Sequence, residues 1–325
     1  MKINNIFDIN TNHDFEKITL EIFQFQAENC LVYWEFLNLL KVDSNSVKSI
    51  NQIPFLPIQF FKSHQIISSK EPVQRVFLSS GTTGNTQSKH FVTDLSLYEK
   101  SFTKGFENFY GPIEDYTVLA LLPSYLERDG SSLIYMVNDF IEKSNKPKSG
   151  FYLNNLEELH KNLIELDKKG EKVLLIGVSF ALLDLIETFN FKLKNTIIME
   201  TGGMKGRRKE LIREELHQVL CNGFGVEKIH SEYGMTELLS QGYSKGNGIF
   251  ECPPWMKILT RDTEDALTIL PEGKSGGINV IDLANINSCS FIATQDLGKT
   301  YKNGMFEVLG RFDDSDIRGC NLMVL

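Results

Sequence analysis

Short apolar runs alternate with amphipathic segments through the middle of the 325-residue chain, and this alternation constrains its fold more than any other feature. Thr117 to Leu122, Val173 to Val178 and Thr196 to Met199 are apolar runs of strand length. Segments with a helical spacing of apolar residues separate them. Strands that alternate with helices form parallel βαβ units, so the pattern predicts an α/β domain. Ligands of such domains bind at the carboxyl ends of the strands.

Helical periodicity predicts further elements on both sides of these strands. Residues 1–50 are predicted to form a helical segment that packs on the main domain. Further helices are predicted over Leu95 to Tyr110, Leu133 to Ile141, Leu156 to Leu166, Ala181 to Phe189 and Lys209 to Leu220.

From about residue 245 the pattern becomes short strands bounded by Gly and Pro. The predicted strands are Phe250 to Leu259, Leu267 to Leu270, Gly277 to Leu283, Ser290 to Thr294 and Phe306 to Leu309. We expect residues 245–310 to form a small distorted β-barrel that closes a main domain over 51–310. Residues 311–325 are expected to form a hinge-like tail.

Composition excludes several classes of protein. A net charge of −8 argues against a general nucleic-acid-binding surface. The five cysteines show no CxxC spacing, which argues against a zinc site and a disulfide framework. No apolar run approaches the ~20 residues of a membrane span, and the polar N-terminal segment lacks the features of a signal peptide. We therefore expect a soluble cytoplasmic protein with no nucleic-acid partner.

A loop of small residues follows the apolar run Val76 to Leu78. The loop comprises Ser79, Ser80, Gly81, Thr82, Thr83 and Gly84. Glycines let backbone amides turn inward and hydroxyls add donors, so such a loop can hold phosphate oxygens. The Walker pattern is absent, because no Gly-Lys-Ser/Thr follows at the required spacing. The same residues would also suit an ordinary Ser/Gly turn between two strands.

Two further polar segments follow predicted strands. Gly202 and Gly203 precede a cationic stretch and a helix, which suits an anion site but also an ordinary turn with solvated charges. The cations there are Lys205, Arg207 and Arg208. The second segment, Tyr233 to Glu237, combines a stacking ring, a glycine, a hydroxyl and a carboxylate suited to Mg²⁺.

Taken together, these segments resemble the signatures of the adenylate-forming enzymes, a superfamily of acyl-CoA synthetases, adenylation domains and firefly-type luciferases. Ser79 to Gly84 resembles the phosphate loop, and Tyr233 to Glu237 resembles the second signature. Thr294 to Gly298 and Gly310 to Gly319 resemble the third and fourth signatures, in the same order along the chain. The resemblance implies a large adenylate-forming domain of stacked βαβ sheets.

Longer stretches are similar to the LuxE-type acyl-protein synthetases. They include LLPSYLERDGSSL, ETGGMKGRR, HSEYGMTELLSQ, INVIDLANINSCSFIATQDLG and RGCNLMV. In that family ATP activates a fatty acid to an acyl-AMP, and the acyl group moves to a cysteine near the C-terminus. A reductase partner in bacterial luminescence then receives it. The matching cysteine is Cys320, although a tail cysteine packed as a small hydrophobe is the alternative.

The resemblance also implies a role for each matching residue. Ser79 to Gly84 would hold the β- and γ-phosphates of ATP, Thr236 the α-phosphate and Glu237 the Mg²⁺ ion. Tyr233 and Gly234, with Gly202 and Gly203, would flank the adenine. Asp296 would bind the ribose hydroxyls, aided by Arg311. Residues expected beside the acyl pocket are Tyr125, Glu127 and Arg128.

Two departures from the superfamily pattern stand out. The phosphate loop continues without the usual Pro-Lys-Gly, so Lys89 does not inherit the role of that lysine. The chain stops twelve residues after Asp313, so we expect the C-terminal lid domain to be absent or reduced to a tail. The role of the lid lysine would then fall to Lys205, Arg207 or Arg208, to a partner, or to no residue.

Three functions fit this sequence. The first is an enzyme that forms an acyl-AMP and then an acyl thioester on Cys320 for an acyl-accepting partner protein. The second is an acid–CoA ligase of the phenylacetate type, and the third is a degenerate nucleotide-binding scaffold. A scaffold would not need the set Thr236, Glu237, Asp296 and Arg311. The sequence does not identify the acid.

Overall fold

A computed structural model describes residues 6–80, 86–123, 130–202 and 211–312 of the chain. Its α-helices are α1 (Asn12–Asn29), α2 (Leu31–Leu39), α3 (Phe60–Ser63), α4 (Leu95–Tyr110), α5 (Ser132–Ser144), α6 (Leu156–Lys168), α7 (Ser179–Thr188) and α8 (Arg213–Phe224). Single-turn 3₁₀ helices lie at Ile6–Asp8, Ser44–Ser46, Ile50–Gln52, Ile113–Asp115, Leu283–Asn285 and Lys302–Gly304.

The strands follow in chain order. They are β1 (Leu56–Pro57), β2 (Arg75–Leu78), β3 (Lys89–Val92), β4 (Thr117–Leu121), β5 (Gly150–Phe151), β6 (Val173–Gly177), β7 (Thr196–Thr201), β8 (His230–Tyr233), β9 (Gly242–Ser244), β10 (Ile249–Glu251), β11 (Met256–Arg261), β12 (Ser275–Asp282), β13 (Phe291–Thr300) and β14 (Phe306–Arg311).

Local chemistry explains where the helices begin and end. The helix predicted over Leu95 to Tyr110 has those bounds in the structure. The Asp94 side chain accepts a hydrogen bond from the Ser96 amide and caps its start, and Gly111, at φ +83°, ends it. At α1, the Thr11 hydroxyl accepts from the Asp14 amide in the same way. Such caps satisfy backbone groups that have no partner inside the helix.

The chain divides into two compact units, of which the second is Val73–Pro253. Its strands pair in the order β10-β9-β8-β7-β6-β4-β5. Strands β5, β4, β6, β7 and β8 run parallel, and β9 and β10 pair antiparallel at one side. Every residue of β4 and β6 is buried, as predicted for central strands covered on both faces. A separate antiparallel hairpin joins β2 to β3.

The first unit is formed by Met1–Pro72 together with Pro254–Leu325. Its strands β11, β12, β13 and β14 pair antiparallel in that order, and β1 pairs parallel with β13. The amide of Gln26, on α1, donates to the carbonyls of Asn285 and Ile286 and its oxygen accepts from the Ser290 amide. This buried side chain ties the N-terminal helix to the loop before β13. The predicted boundaries of the main domain, after residue 50 and at residue 310, stay predictions.

Three predicted elements in the second half of the chain were wrong in their bounds. The segment predicted as one strand over Phe250 to Leu259 is two strands, β10 and β11. Pro253 and Pro254 separate them, because proline has no N–H to donate to a sheet. Strand β13 continues past Thr294 to Thr300. Residues 267–270 form only an isolated bridge, between Ile269 and Arg261.

Helix α8 also differs from its prediction, since it begins at Arg213 and ends at Phe224 instead of Leu220. Ile212 is extended, with ψ at 149°, so the helix cannot continue back through it. Glu214 and Glu215 occupy the first turn, where negative charge favours a helix start. Among the helices of the described ranges, none has both the length and the apolar character required to cross a lipid bilayer.

Candidate active site

The carboxyl ends of β7 and β8 lie side by side at one edge of the parallel sheet of the second unit. Thr201, the last residue of β7, is the register partner of Glu232 on β8. Gly202 follows β7 with φ at +65°, a conformation that favours glycine. Tyr233 ends β8 and is followed by Gly234. The structure therefore brings together the described parts of the two segments predicted to flank an adenine.

The hairpin of β2 and β3 supports the Ser/Thr/Gly loop at both of its ends. The Ser79 amide donates to the Ser88 carbonyl at 3.1 Å, and the Ser88 amide donates to the Ser79 hydroxyl at 2.9 Å. The side-chain amide of Gln87 donates a further hydrogen bond, from Nε2 to the Ser79 carbonyl, at 2.8 Å. Ser79 thus closes the hairpin, whereas Ser80 and Lys89 are exposed. The sequence left open whether a strand or a helix follows the loop, and in the structure the strand β3 follows it.

A buried histidine connects this hairpin to the Tyr233–Glu237 segment. His90, on β3, is 1% exposed, and its Nδ1 lies 2.8 Å from the carbonyl oxygen of Thr236. Because a carbonyl oxygen only accepts, Nδ1 carries the hydrogen and donates it. A direct hydrogen bond therefore joins the hairpin that carries the predicted phosphate loop to the turn that contains Thr236.

We predict that His90→Ala lowers the free energy of unfolding by about 1–3 kcal/mol, because a buried carbonyl loses its donor. His90→Asn should lose less, since the asparagine amide can donate to the same carbonyl. Urea unfolding of both variants measures the difference, with exposed His13→Ala as the control. Equal losses in the alanine and asparagine variants would show that the hydrogen bond is not what His90 contributes.

Thr236 and Glu237 lie in the turn after β8. Glu237 is 5% exposed, and Thr236 is half-buried. The Leu238 amide donates to the Met235 carbonyl at 3.0 Å, which closes the turn around both residues. A buried carboxylate beside a turn is a suitable oxygen ligand for Mg²⁺, which takes one or two carboxylates together with phosphate oxygens and water. Among the described residues no group of three or more His, Cys, Asp or Glu side chains forms a metal site.

Tyr233 is buried, and its ring meets the ring of Phe250 edge-on at a centroid distance of 6.0 Å. Phe250 lies on β10 and also carries the guanidinium of Arg213 over its face, at 4.8 Å. The predicted stacking ring is therefore held in one position by an aromatic neighbour.

A network of buried polar groups centred on Glu200 lies beside Thr201. The Ser179 hydroxyl donates to the Glu200 carboxylate at 3.3 Å, and His217 Nε2 and Arg213 Nε lie 3.5 and 3.7 Å from it. Burial raises the pKa of Glu200, but His217, Arg213 and Ser231 together lower it below its ordinary value. Glu200 is therefore a carboxylate anion held beside the end of β7.

The same network does not form a Ser-His-acid triad. The hydroxyl of Ser231 lies 3.3 Å from Nε2 of His217, which is also the nitrogen nearest Glu200. A triad needs the acid on the other ring nitrogen, where it can orient the imidazole as a base. The geometry therefore does not support Ser231 as a hydrolytic nucleophile, and the network serves to hold the strand ends.

In the first unit, Asp296 and Arg311 form the pair that the sequence predicts for a ribose. They are register partners on β13 and β14, and Arg311 Nε lies 3.4 Å from Asp296 Oδ1. The Asp296 side chain is buried, whereas the Arg311 side chain is 75% exposed. The Asp296 amide also donates to the Thr294 hydroxyl at 3.1 Å. The third predicted signature is thus the central part of a strand.

Comparison with known proteins gives the family of the chain. The family model described as "Acyl-protein synthetase, LuxE" matches residues 129–325. This chain belongs to the LuxE acyl-protein synthetase family. The resemblance noted in the sequence is therefore confirmed over the larger part of the chain.

Two relatives of this LuxE family member carry the same description. The long-chain-fatty-acid–luciferin-component ligase of Vibrio harveyi is 24% identical over 329 residues, which covers 92% of this chain and 84% of the relative. The protein of that description from Photorhabdus luminescens is 33% identical over 70 residues, covering 21% of this chain and 60% of the relative.

Solved structures place the LuxE chain in the adenylate-forming fold class. ATP-bound MatB from Rhodopseudomonas palustris aligns at a TM-score of 0.54 with 18% identity, and covers 75% of this chain but only 49% of MatB. A 2-hydroxyisobutyryl-CoA ligase in complex with 2-HIB-AMP and CoA aligns at a TM-score of 0.67 with 11% identity, covering 93% of this chain and 70% of the ligase. The predicted α/β adenylate-forming fold is confirmed.

Several predicted site residues lie outside the described residues. They are Gly81, Thr82, Thr83, Gly84, Tyr125, Glu127, Arg128, Gly203, Lys205, Arg207, Arg208 and Cys320. Their roles in this LuxE family member stay predictions. Among the described cysteines, Cys30 and Cys289 are buried, and burial raises the pKa of both thiols. Cys221 and Cys252 are half-buried.

Glu232 is a site residue that the sequence reasoning missed. The hydroxyl of Thr201 donates to Glu232 Oε2 at 2.6 Å. Burial raises the pKa of Glu232 to about 7, the Thr201 hydrogen bond opposes the rise, and the charge of Glu200 adds to it. Other titratable groups near it are Tyr98 on α4 and Tyr243, its register partner on β9. Its position before Tyr233 was the only available signal.

We predict that Glu232→Gln becomes more stable relative to the wild-type protein as the pH rises. Between pH ~4.5 and ~7 the folded protein binds more protons at Glu232 than the unfolded chain does, so wild-type stability falls over that range. The glutamine variant avoids a loss of about 3 kcal/mol, since a difference of one pKa unit corresponds to about 1.4 kcal/mol. Urea unfolding at pH 5 and pH 8 measures it, with exposed Glu215→Gln as the control. A difference that does not change with pH would contradict the burial of this carboxyl.

Proposed function

We propose that this acyl-protein synthetase activates a carboxylic acid with ATP and passes the acyl group to Cys320 as a thioester. The observation that carries the proposal is the LuxE family match over residues 129–325, which includes both the Tyr233–Glu237 turn and Cys320. The described residues support it, since the His90 hydrogen bond joins the Ser79 hairpin to that turn. These are the two segments that a triphosphate would need to contact.

In the first step, a carboxylate oxygen of the acid attacks the α-phosphorus of ATP. The bond from that phosphorus to the bridging oxygen breaks, pyrophosphate leaves, and an acyl-AMP forms. Ser79 to Gly84 hold the β- and γ-phosphates, Thr236 contacts the α-phosphate, and Glu237 binds Mg²⁺. A Mg²⁺ ion held by Glu237 would neutralise part of the phosphate charge. Positive charge at the α-phosphate comes from Lys205 and Arg207.

The nucleoside half of ATP is held by the segments at the strand ends. The ring of Tyr233, with Gly234, Gly202 and Gly203, flanks the adenine. The ribose hydroxyls bind Asp296, which the exposed guanidinium of Arg311 accompanies at 3.4 Å. The side chains of Tyr233 and Asp296 are both buried, so packing within its own unit restricts the conformations of each.

In the second step, the Cys320 thiolate attacks the carbonyl carbon of the acyl-AMP. A carbon–sulfur bond forms, the bond to the phosphate oxygen breaks, and AMP leaves; the thiol proton passes to solvent. A thioester keeps enough reactivity to transfer the acyl group again, to a nucleophile of a partner protein. A reducing compartment such as the cytoplasm would keep the thiol free.

The class of acid and the partner follow from the relatives. Both are described as ligases that join a long-chain fatty acid to a luciferin component. We propose a long-chain fatty acid as the substrate class and an acyl-accepting protein, such as an acyl reductase or acyltransferase, as the partner. The structural relatives contribute only the fold, because their identities to this chain are below 20%.

ATP–pyrophosphate exchange with a panel of fatty and aryl acids, with and without CoA, tests the proposal. We expect exchange that depends on a long-chain acid and no acyl-CoA product when CoA is added. Acyl-CoA formation would identify the CoA-dependent ligase instead. No exchange with any acid would identify the nucleotide-binding scaffold.

A further inference from the structure

The carboxyl group of Glu232 contacts the last residue of β7 and lies beside the first residue after β8. Its Oε2 accepts the hydrogen bond from the Thr201 hydroxyl at 2.6 Å. Its Oε1 lies so close to Gly234 that a Cβ atom built there would come within 2.3 Å of it. One side chain thus spans from the end of β7 to the turn after β8.

The contact between Thr201 and Glu232 lies at the position where the backbone pairing of β7 and β8 ends. Backbone pairing of β7 and β8 runs from Met199 with His230 to Thr201 with Glu232, which is the last register pair. Strand β7 ends at Thr201 and is followed by Gly202, whereas β8 continues for one residue, Tyr233, before Gly234. The Thr201–Glu232 hydrogen bond is therefore the side-chain link at the position where the backbone ladder ends.

We propose that Glu232 is a positioning residue that sets the spacing between Gly202, directly after β7, and Gly234, directly after β8, and so the width of the slot for a nucleotide base. This inference rests on the proposed function, in which the adenine lies between these residues. Glu232 itself contacts neither phosphate nor the acyl group in the proposed reaction. It acts on Gly202 through Thr201, the last residue of β7, and directly on Gly234, the first residue after β8.

Glycine at position 234 is part of the same arrangement. Its φ is not in the left-handed region, so glycine is not required here for its backbone conformation. It is required because a side chain would have no room. The carboxyl of Glu232 occupies the volume in which a side chain at 234 would lie. Gly234→Ala should therefore act by displacing the Glu232 carboxyl, the flexible end of its side chain.

Two readouts in the free, full-length protein test the proposal: Kd for ATP and amide hydrogen exchange of the segment 230–238. We expect Thr201→Val and Glu232→Ala each to raise the Kd for ATP and speed the exchange by about tenfold, because each removes the same bond. The double variant should match the single variants, since both changes break one link. Glu232→Gln keeps an acceptor for Thr201 and should stay within about threefold of wild type.

Thr196→Val is the matched control. Thr196 lies at the amino end of the same strand, and its buried hydroxyl also donates to a carboxylate, that of Asp167, at 3.0 Å. This variant loses an equivalent bond far along β7, so it should lower stability while leaving the Kd for ATP and the exchange of 230–238 unchanged. Unfolding curves of all variants confirm that each is folded under the conditions of measurement.

The outcomes separate the inference from the proposed function. If the wild-type protein failed to bind ATP, the proposed function would be overturned. The exchange data would still decide whether Glu232 sets the spacing between Gly202 and Gly234. Exchange and Kd that are equal in wild type, Thr201→Val and Glu232→Ala would overturn the inference. A further result would also overturn the inference. If Gly234→Ala changed the exchange of 230–238 by the same factor in the Glu232→Ala variant as in wild type, the alanine at 234 would not act by displacing the Glu232 carboxyl.

Discussion

Replacing Cys320 by serine is expected to abolish the acyl-protein adduct while acid activation continues. The thiolate is the nucleophile in the proposed transfer, and a serine hydroxyl at neutral pH is not ionised. We expect the hydroxylamine-labile adduct to form more slowly by roughly 10³-fold or more. ATP–pyrophosphate exchange should stay within about threefold of wild type, because it reports only formation of the acyl-AMP.

Intact-mass measurement after incubation with Mg·ATP and a long-chain acid, without CoA, detects the adduct. Cys221→Ser is the matched control, since Cys221 is a half-buried thiol on α8 whose pKa is raised by burial. That variant should acquire the same mass as wild type. An adduct of wild-type yield on Cys320→Ser would place the thioester on another residue and overturn the assignment of Cys320. Loss of exchange together with the adduct would mean that the tail also serves adenylation.

Glu237→Gln is expected to have the second large effect, on adenylation itself. The side chain is 5% exposed in the turn after β8, and the proposal gives its carboxylate the role of binding Mg²⁺. Glutamine keeps the size and an oxygen but removes the charge that a hard divalent cation prefers. We expect the exchange rate to fall by roughly 10²–10³-fold.

The dependence of exchange on Mg²⁺ concentration identifies the cause. In Glu237→Gln the concentration giving half-maximal rate should rise, whereas binding of ATP without Mg²⁺ should change little. Glu214→Gln removes an exposed carboxylate from the first turn of α8 and should leave both quantities unchanged. If Glu237→Gln exchanges within threefold of wild type while folded, Glu237 is not the metal ligand.

The connection between the proposed phosphate segments could not be predicted from sequence. His90 is separated from Thr236 by 146 residues, and nothing in the residues around either one indicates that they meet. The same holds for the network that links Ser179, Glu200 and His217 across three elements. Such contacts depend on how distant segments pack, whereas local patterns report only the element that contains them.

The sequence by itself determined local features: the secondary-structure elements and the order of the motifs along the chain. The helical spacing of apolar residues predicted α4 with its bounds, and continuous apolar runs predicted β4 and β6, because these signals act within a few residues. The motifs also identified the family. The prediction of a single strand over Phe250 to Leu259 was wrong, because Pro253 and Pro254 separate β10 from β11.

Only the tertiary structure decided which polar groups near the strand ends share a hydrogen bond or a charge. Glu232 is one residue of a motif in the sequence, and in the fold it is a half-buried acid with a pKa of about 7 that contacts both Thr201 and the position of Gly234. Its ionisation depends on burial and on Glu200, which strand pairing brings near. Burial and neighbouring charge arise only when the chain has folded, so no local pattern encodes them.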